Sequence, residues 1–202
     1  MITYIIIALT VFISIIAMDN NTLKNKLMFN AYMINKRKEW YRFFSNGLIH
    51  ADWMHLAFNM YSLYIFGRAA EDFYLTLFEE RGILFFILLY VGGLGMSSIY
   101  SYEKHKNDIY YNALGASGAV SAVVFAFIVI APTAQLGFLF IPVPIPAYLF
   151  GLLFLGIEYY LGKRGQSNIG HDAHFWGAVF GAVFTIILKP SLVTNFIDQI
   201  KP

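Results

Sequence analysis

Long apolar runs separated by polar stretches dominate the sequence. They cover about residues 2–18, 48–70, 82–102, 112–131, 146–162 and 173–189. Each run approaches the roughly 20 residues that a helix needs to cross a bilayer. In hydrocarbon each run must be helical, because only a helix satisfies its own backbone polar groups. The pattern therefore predicts an all-α polytopic membrane bundle with six transmembrane helices, formed as a single domain over residues 1–202.

Composition supports lipid as the solvent of this chain. Hydrophobic residues make up 58% of the sequence and charged residues 13%, whereas soluble domains carry about 25% charged residues. The sequence has no cysteine, which excludes disulfides, thiolate zinc sites and cysteine nucleophiles. The net charge of +2 and the lack of a basic stripe among exposed aromatics argue against a nucleic-acid partner. Membrane lipid is an expected partner, and the oligomeric state stays open.

The first two segments differ in character. Residues 1–18 are expected to form a retained anchor helix rather than a cleaved signal peptide. A signal peptide would have a basic n-region before the apolar run and a small-residue cleavage site after it, and the sequence has neither. Residues 19–47 mix cations with aromatic side chains, which is typical of a segment lying in the membrane interface with its aromatics facing lipid and its cations facing water. A solvated basic loop is the alternative. The apolar segment around Pro142, Pro144 and Pro146 cannot be helical and is expected to dip into the interface.

Alternating spans bring the polar candidates to one face of the membrane. The second, fourth and sixth helices all begin on the same side, and each carries its polar residues near its start. These residues are His50, His55 and Asn59 in the second, Ser117 in the fourth, and His171 and His174 in the sixth. The topology therefore predicts a single polar site.

Ser117 is a candidate nucleophile, which requires a base to take its proton. His174 is the better base candidate, because Gly177 and Gly181 follow it on the same helix face and allow another helix to approach closely. The small residues around Ser117, including Gly115 and Gly118, offer the matching surface. Alternatively, a membrane serine often bonds back to its own helix.

His55 and Asn59 are spaced i, i+4 and share one helix face. Both side chains can donate hydrogen bonds to a developing oxyanion, and such donors typically contribute about 10²–10³ in rate. Together with a nucleophile and a base they are the parts of an acyl-transfer site. Asn59 alone would more simply join helices.

A metal site is the chemical rival. His171 and His174 could share an ion, with Asp172 either completing the ligand set or orienting His174, but the sequence has no His-Glu-x-x-His motif. His50 and His55, at i, i+5 on a regular helix, are poorly placed to ligate together. We expect no metal and no cofactor. His171 is expected at the rim of the site, with a supporting role behind the catalytic residues as the alternative.

The side of the membrane is ambiguous from charge. Loops on the site side carry most of the Lys and Arg residues, which by the positive-inside rule would place the site in the cytoplasm.

Over about residues 39–190 the chain resembles the rhomboid intramembrane serine proteases of the compact six-helix bacterial form. The resemblance rests on motifs that occur in order, each on the expected helix. They are Glu39 to Phe44, His50 to Asn59, Gly67-Arg68, Gly115-Ala116-Ser117-Gly118, Pro142 to Pro146, Ala173-His174, and Gly177 with Gly181.

The resemblance implies a Ser117 nucleophile and a His174 general base working as a dyad, with no acidic third member. His55, Asn59 and the Ser117 backbone N–H would form the oxyanion hole, and His50 would support the site. The substrates would be transmembrane segments of other proteins, approaching near the fifth helix and the 163–172 loop. The location would be a bacterial inner membrane, with the site open to the extracytoplasmic face, contrary to the charge count.

The sequence departs from the family at Ser121, where an aromatic residue commonly stacks on the catalytic histidine. We hypothesise that Ser121 hydrogen-bonds the imidazole instead. Two other functions stay open: a rhomboid-like pseudoprotease that binds membrane helices without hydrolysis, and a small-solute transporter. Retention of Ser117 and His174 argues against the first, and the lack of paired inverted halves argues against the second.

Overall fold

The computed structural model describes residues 1–138, 141–164 and 170–201, and these fold almost entirely as helices. Eleven α-helices and one two-stranded hairpin are seen in that part of the chain. The elements are α1 (Ile2–Asp19), α2 (Asn21–Leu27), α3 (Ala31–Arg37), α4 (Arg42–Ser45), α5 (Trp53–Ser62), α6 (Arg68–Phe78), α7 (Gly82–His105), α8 (Ser117–Ile130), β1 (Gln135–Phe138), β2 (Ile141–Pro146), α9 (Ala147–Arg164), α10 (His171–Leu188) and α11 (Ser191–Ile200).

Three described helical stretches are long and apolar enough to cross a membrane: Ile2–Asp19, Trp53–His105 and His171–Leu188. The second of these contains most of the second predicted span and all of the third. A π-helical turn at Leu63–Gly67 joins α5 to α6, and a 3-10 turn at Glu79–Arg81 leads from α6 into α7. α8 is a shorter apolar helix. The all-α membrane bundle is therefore confirmed, and the count of six spans stays a prediction.

α8 forms the centre of the bundle. Every residue from Gly118 to Val129 is buried except Phe127, because α7 and α10 pack against it on two sides. Gly93 of α7 lies so close to α8 that an added Cβ would come within 3.0 Å of the Ala119 Cα atom. Small residues at helix contacts allow this close packing in membranes. Ser117 thus lies at the start of a buried helix that is packed tightly on two sides.

The connection between α1 and α5 is a folded unit that includes α2, α3 and α4. Phe29 is buried and pairs with Ala113 through two backbone hydrogen bonds of 2.8 and 3.1 Å. Arg42 is also buried, where it pairs with Glu39 and donates to the Asn25 and Met28 carbonyls. The expected arrangement, with aromatics facing lipid and cations facing water, is therefore wrong for Phe29 and Arg42, which serve as the interior of this unit.

The proline-rich segment forms the second strand of a hairpin. β2 pairs antiparallel with β1, and Gln135 lies opposite Pro146. Proline is tolerated on such an edge strand because its missing N–H points away from the partner strand.

α1 packs on the bundle through a stripe of small polar residues. Thr3, Thr10 and Ser14 are fully buried, although the helix is otherwise apolar. Glu71 of α6 accepts hydrogen bonds from the Ile2 and Thr3 backbone N–H groups, at 2.7 and 2.9 Å, and from the Thr3 hydroxyl at 2.7 Å. A carboxylate there satisfies donors that the first turn of a helix leaves unpaired.

Candidate active site

The turn before α8 is shaped for an imidazole. Gly115 has φ +121°, a conformation that favours glycine because it lacks a Cβ atom. A Cβ at this position would lie 2.6 Å from Cε1 and 2.8 Å from Nε2 of His55. Gly115 therefore permits the chain to turn into α8 and leaves room for the His55 ring beside the residues that precede Ser117.

His50 links the start of α8 to α1. Its Nε2 accepts the Ala116 backbone N–H at 3.3 Å, and its Nδ1 lies 3.0 Å from Oγ of Ser14. Ser14 donates its own proton to the Leu48 carbonyl at 3.0 Å, so a neutral His50 that carries its proton on Nδ1 satisfies every group. His50 is fully buried, and this burial, aided by neighbouring His55, lowers its pKa to about 3.

His50 and His55 lie together, with ring centroids 5.0 Å apart and planes at 76°. The expectation that they diverge on a regular helix is wrong, because α5 begins only at Trp53 and His50 lies in the connection before it. Asp52 caps the helix by accepting the His55 backbone N–H at 2.8 Å. The cap fixes where the helix starts and so directs His55 towards Gly115.

Asn59 lies one turn beyond His55 and is 3% exposed. Its Nδ2 donates to the His55 carbonyl at 3.0 Å. An amide nitrogen has two donors, so one N–H of Asn59 is used to hold the side chain against its own helix.

Gly177 and Gly181 bring α10 into backbone contact with α8. A Cβ on Gly177 would overlap the carbonyl group of Gly118, and one on Gly181 would overlap that of Ala122. On the other side of the same contact, a Cβ on Gly118 would lie 3.4 Å from the Ala173 carbonyl oxygen. The predicted close approach of these two helices is confirmed, and it brings the residues next to Ser117 and to His174 into contact.

His174 is hydrogen-bonded to a carboxylate. Its Nδ1 lies 3.1 Å from Oε1 of Glu158 in α9, and the other oxygen, Oε2, lies 2.6 Å from Nδ1 of His171. All three side chains are largely buried, with exposures of 12% for Glu158, 8% for His171 and 17% for His174. The expected position of His171 at the rim of the site is therefore wrong, because its side chain is buried beside the candidate base.

Phe154 lies one turn before Glu158 on α9. Its ring centroid is 6.5 Å from that of His174, at an angle of 34°. Ser121 is buried, yet among the described residues the imidazole bonds to Glu158 and not to Ser121. The hypothesis of a Ser121–His174 hydrogen bond is thus not borne out, and α9 supplies both the aromatic contact and the hydrogen bond.

Asp172 neither completes a metal site nor orients His174. Its Oδ2 pairs with Nζ of Lys104 at 3.1 Å, at the surface between α7 and α10.

The ligand atoms of Glu158, His171 and His174 lie within 4.8 Å of one another. Two imidazoles and a carboxylate are ligands that suit Zn²⁺, so this cluster is where a divalent ion would fit.

No hydrogen bond joins the Ser117 hydroxyl to the His174 imidazole in the described part of the chain, where His174 bonds to Glu158. Contacts between a nucleophile and its base are often open in structures without substrate and tighten in the Michaelis complex. The substrate path suggested by the sequence lies partly at the 163–172 loop, and residues 165–169 of that loop are outside the described residues.

Sequence reasoning missed Glu158 as a site residue. The signal was available, because a carboxylate in an apolar run is a functional candidate by default. The sequence alone could not identify the partners of Glu158. Lys104 could pair with either Asp172 or Glu158, and only the rotation of the helices determines which pair forms.

Comparison with known proteins places these features in a family. The rhomboid domain matches residues 37–191. Similar proteins include the mitochondrial RHOMBOID-like protein 12 of Arabidopsis thaliana, 29% identical over 78% of this chain and 50% of its own length. The chloroplastic Rhomboid-like protein 11 of the same plant is 29% identical over 78% of this chain and 56% of its own length.

A bacterial relative carries the protease name. Rhomboid protease AarA of Providencia stuartii is 25% identical over 80% of this chain and 61% of its own length. The chain spans about half to three fifths of the length of these relatives. The rhomboid domain covers most of the sequence, and the apolar helices that could cross a membrane include the one carrying His174. The chain is an integral membrane protein that belongs to the rhomboid family.

Proposed function

We propose that this protein is an intramembrane serine endopeptidase in which Ser117 is the nucleophile and His174 the general base. The observation that carries the proposal is the glycine contact between α8 and α10, where Gly177 packs on the backbone of Gly118. Gly118 follows the serine directly, and Gly177 lies one helical turn after the histidine. Membership of a family with protease members supports the same reaction class.

In this reaction the Ser117 Oγ atom attacks the carbonyl carbon of the scissile peptide bond, and Nε2 of His174 takes the hydroxyl proton. The tetrahedral intermediate collapses with cleavage of the C–N bond, and His174 returns the proton to the leaving amine. Water then attacks the carbonyl carbon of the acyl-enzyme with His174 again as base, the ester C–O bond to Ser117 breaks, and His174 returns the proton to Oγ of Ser117. Nε2 is the available nitrogen because Nδ1 is engaged with Glu158.

The oxyanion would be held by His55, Asn59 and the backbone N–H of Ser117. The support is the position of the His55 ring against Gly115, close to the first turn of α8. Donors that are fixed before reaction stabilise developing charge without a cost of reorganisation, and the positive end of the helix dipole adds to them. His50 supports this arrangement through its bond to the Ala116 N–H.

The substrates in this proposal are transmembrane segments of other proteins, cleaved in a bacterial inner membrane at its extracytoplasmic face. The charge count argues for the opposite side. We discount it because the basic first connection is folded, with Arg42 buried and paired rather than free in a loop.

The test is proteolysis in liposomes that contain the purified protein and a single-span substrate with small and helix-loosening residues near one membrane face. We expect the wild type to release a new N-terminus, identified by mass spectrometry. Ser117→Ala and His174→Ala should lower the rate at least 10³-fold, because each removes a member of one catalytic unit. Ser98→Ala is the matched control, since among the described residues that buried serine bonds back to the Leu94 carbonyl and to no other group.

Equal cleavage by wild type and Ser117→Ala would contradict the proposal. Tight binding of the substrate by the wild type without any cleavage would instead indicate the pseudoprotease.

A further inference from the structure

Glu158 places a carboxylate in an otherwise apolar part of α9, where it contacts two histidines. Both oxygens are engaged, Oε1 with Nδ1 of His174 at 3.1 Å and Oε2 with Nδ1 of His171 at 2.6 Å. Only 12% of the Glu158 side chain is exposed. A charge in such a place is costly unless its partners are fixed, so a specific role is expected of it.

The hydrogen bond to His174 determines which nitrogen of that imidazole is free. An ionised carboxylate only accepts hydrogen bonds, so Nδ1 of His174 must carry the proton. The lone pair of the neutral ring is then on Nε2, the nitrogen that a serine hydroxyl would use. When His174 takes the serine proton, the carboxylate also faces the imidazolium that forms.

Two neighbours fix the carboxylate and the ring in this relationship. His171, three residues before His174 on the same helix, holds the second oxygen of Glu158. Phe154, four residues before Glu158 on α9, lies beside the His174 ring at a centroid distance of 6.5 Å. α9 therefore contacts the candidate base at two points one turn apart, and rotation of the imidazole would break both.

We propose, on the basis of the protease function proposed above, that Glu158 is a positioning residue that makes the Ser117–His174 pair a triad. It holds His174 with its proton on Nδ1 and keeps Nε2 directed to the nucleophile. Asp172, the acidic residue nearest in sequence to His174, does not have this role because Lys104 holds it at 3.1 Å.

The first test is kinetic and uses Glu158→Gln, Glu158→Asp and the control Asp172→Asn in the liposome assay. Glu158→Gln keeps the shape of the side chain but loses its charge and allows the other imidazole tautomer. We expect kcat to fall about 10²-fold or more with KM changed less than twofold, since a base in the wrong tautomer cannot accept the proton. Glu158→Asp should recover part of kcat, and Asp172→Asn should stay within twofold of the wild type.

The second test reads the tautomer directly and does not require hydrolysis. Nitrogen-15 NMR of histidine-labelled protein in detergent micelles, assigned with His174→Ala, should show a protonated Nδ1 and an unprotonated Nε2 for His174. In Glu158→Gln the proton should move to Nε2 in a measurable fraction of molecules. Thermal unfolding of each variant shows whether the fold is kept.

The outcomes separate this inference from the proposed function. If Ser117→Ala is inactive while Glu158→Gln keeps the wild-type kcat and tautomer, the protease stands and the role of Glu158 is overturned. If Ser117→Ala still cleaves, the protease proposal fails, and the NMR result decides alone whether Glu158 fixes the tautomer. Stoichiometric zinc in the wild type that is absent from Glu158→Gln, with activity lost on chelation, would overturn the inference in favour of a metal site.

Discussion

At the scale of single residues, the histidines beside α8 and α10 each contact a partner that fixes their orientation. His50 is held between Ser14 and the Ala116 N–H, and His174 is held by Glu158. In both cases the hydrogen-bond partner selects one tautomer of a neutral ring. The consequence for His50 is a buried base that stays uncharged well below neutral pH.

This state of His50 predicts a pH dependence of stability. Burial lowers the pKa of His50 from 6.5 to about 3, so between these values the unfolded chain binds a proton that the folded protein does not. The stability contributed by neutral His50 is therefore complete above about pH 6.5 and is lost as the pH falls towards 3, by up to about 1.4 kcal/mol per pH unit.

The measurement compares thermal unfolding of wild type and His50→Gln in detergent from pH 7 to pH 4. The variant should be less stable at pH 7 by about 1–3 kcal/mol, because the Ala116 N–H and Ser14 lose their partner. Its stability should also fall less steeply as the pH drops. Parallel curves for the two proteins would contradict the account of His50.

The residues with helical spacing could be predicted from sequence, and those that depend on contacts across helices could not. His55 with Asn59, and His174 with Gly177 and Gly181, follow from periodicity, and α5 and α10 contain them as expected. Glu158 differs because its partners lie 13 and 16 residues away on another helix. No period links them, and only the rotation of α9 against α10 determines the pair.

At the scale of elements, the contact of α8 with α10 determines where the candidate nucleophile and base lie. Gly177 and Gly181 leave no space between the helix backbones. Without a hydrophobic driving force between helices in lipid, such close packing is itself the main source of association. The sequence predicted this contact because Gly-x-x-x-Gly is a local pattern, whereas the folded connection of α2 to α4 depends on long-range pairs such as Phe29 with Ala113.

This contact predicts that adding a single methyl group between α8 and α10 moves Ser117 and His174 apart. Gly181→Ala would place its Cβ against the Ala122 carbonyl, so α10 must move away from α8. Overpacking of this kind costs about 1–3 kcal/mol, and a displacement of about 1 Å at a catalytic site can cost 10²-fold in rate. We expect proteolysis to fall by a factor of about 10–100 while the protein still folds.

Gly156→Ala on α9 is the matched control, because no atom of the described residues lies within 4 Å of its added Cβ. It should keep near wild-type activity in the same liposome assay. If Gly181→Ala is as active as Gly156→Ala, the close contact does not set the geometry of the site.

At the scale of the whole molecule, polar side chains on α1 connect the two ends of the bundle. Near its start, Thr3 bonds to Glu71 of α6. Near its end, Ser14 bonds to His50 and thereby to the start of α8. The apolar run predicted an anchor helix, and the buried polar residues of α1 also connect it to the bundle and, through Ser14 and His50, to the start of α8.

Removing the connection between the start of α1 and Glu71 should destabilise the molecule. Glu71→Ala would leave the Ile2 and Thr3 donors without their acceptor in a buried place, at a cost of about 2–4 kcal/mol. Asp72→Ala is the neighbouring control, since its side chain is 57% exposed and its pair with Arg68 is 4.0 Å long. Thermal unfolding in detergent should show a lower melting temperature for Glu71→Ala alone, and equal melting temperatures would contradict this role of Glu71.

The most direct measurement of the central claim, a hydroxyl of α8 activated by an imidazole of α10, is covalent labelling by a fluorophosphonate. Peptides from the labelled wild type should carry one adduct on Ser117, and none should form on Ser97 or Ser121. His174→Ala should lose the adduct, because an unassisted serine is a weak nucleophile. An adduct of equal yield in His174→Ala, or label distributed over other serines instead of Ser117, would contradict the account.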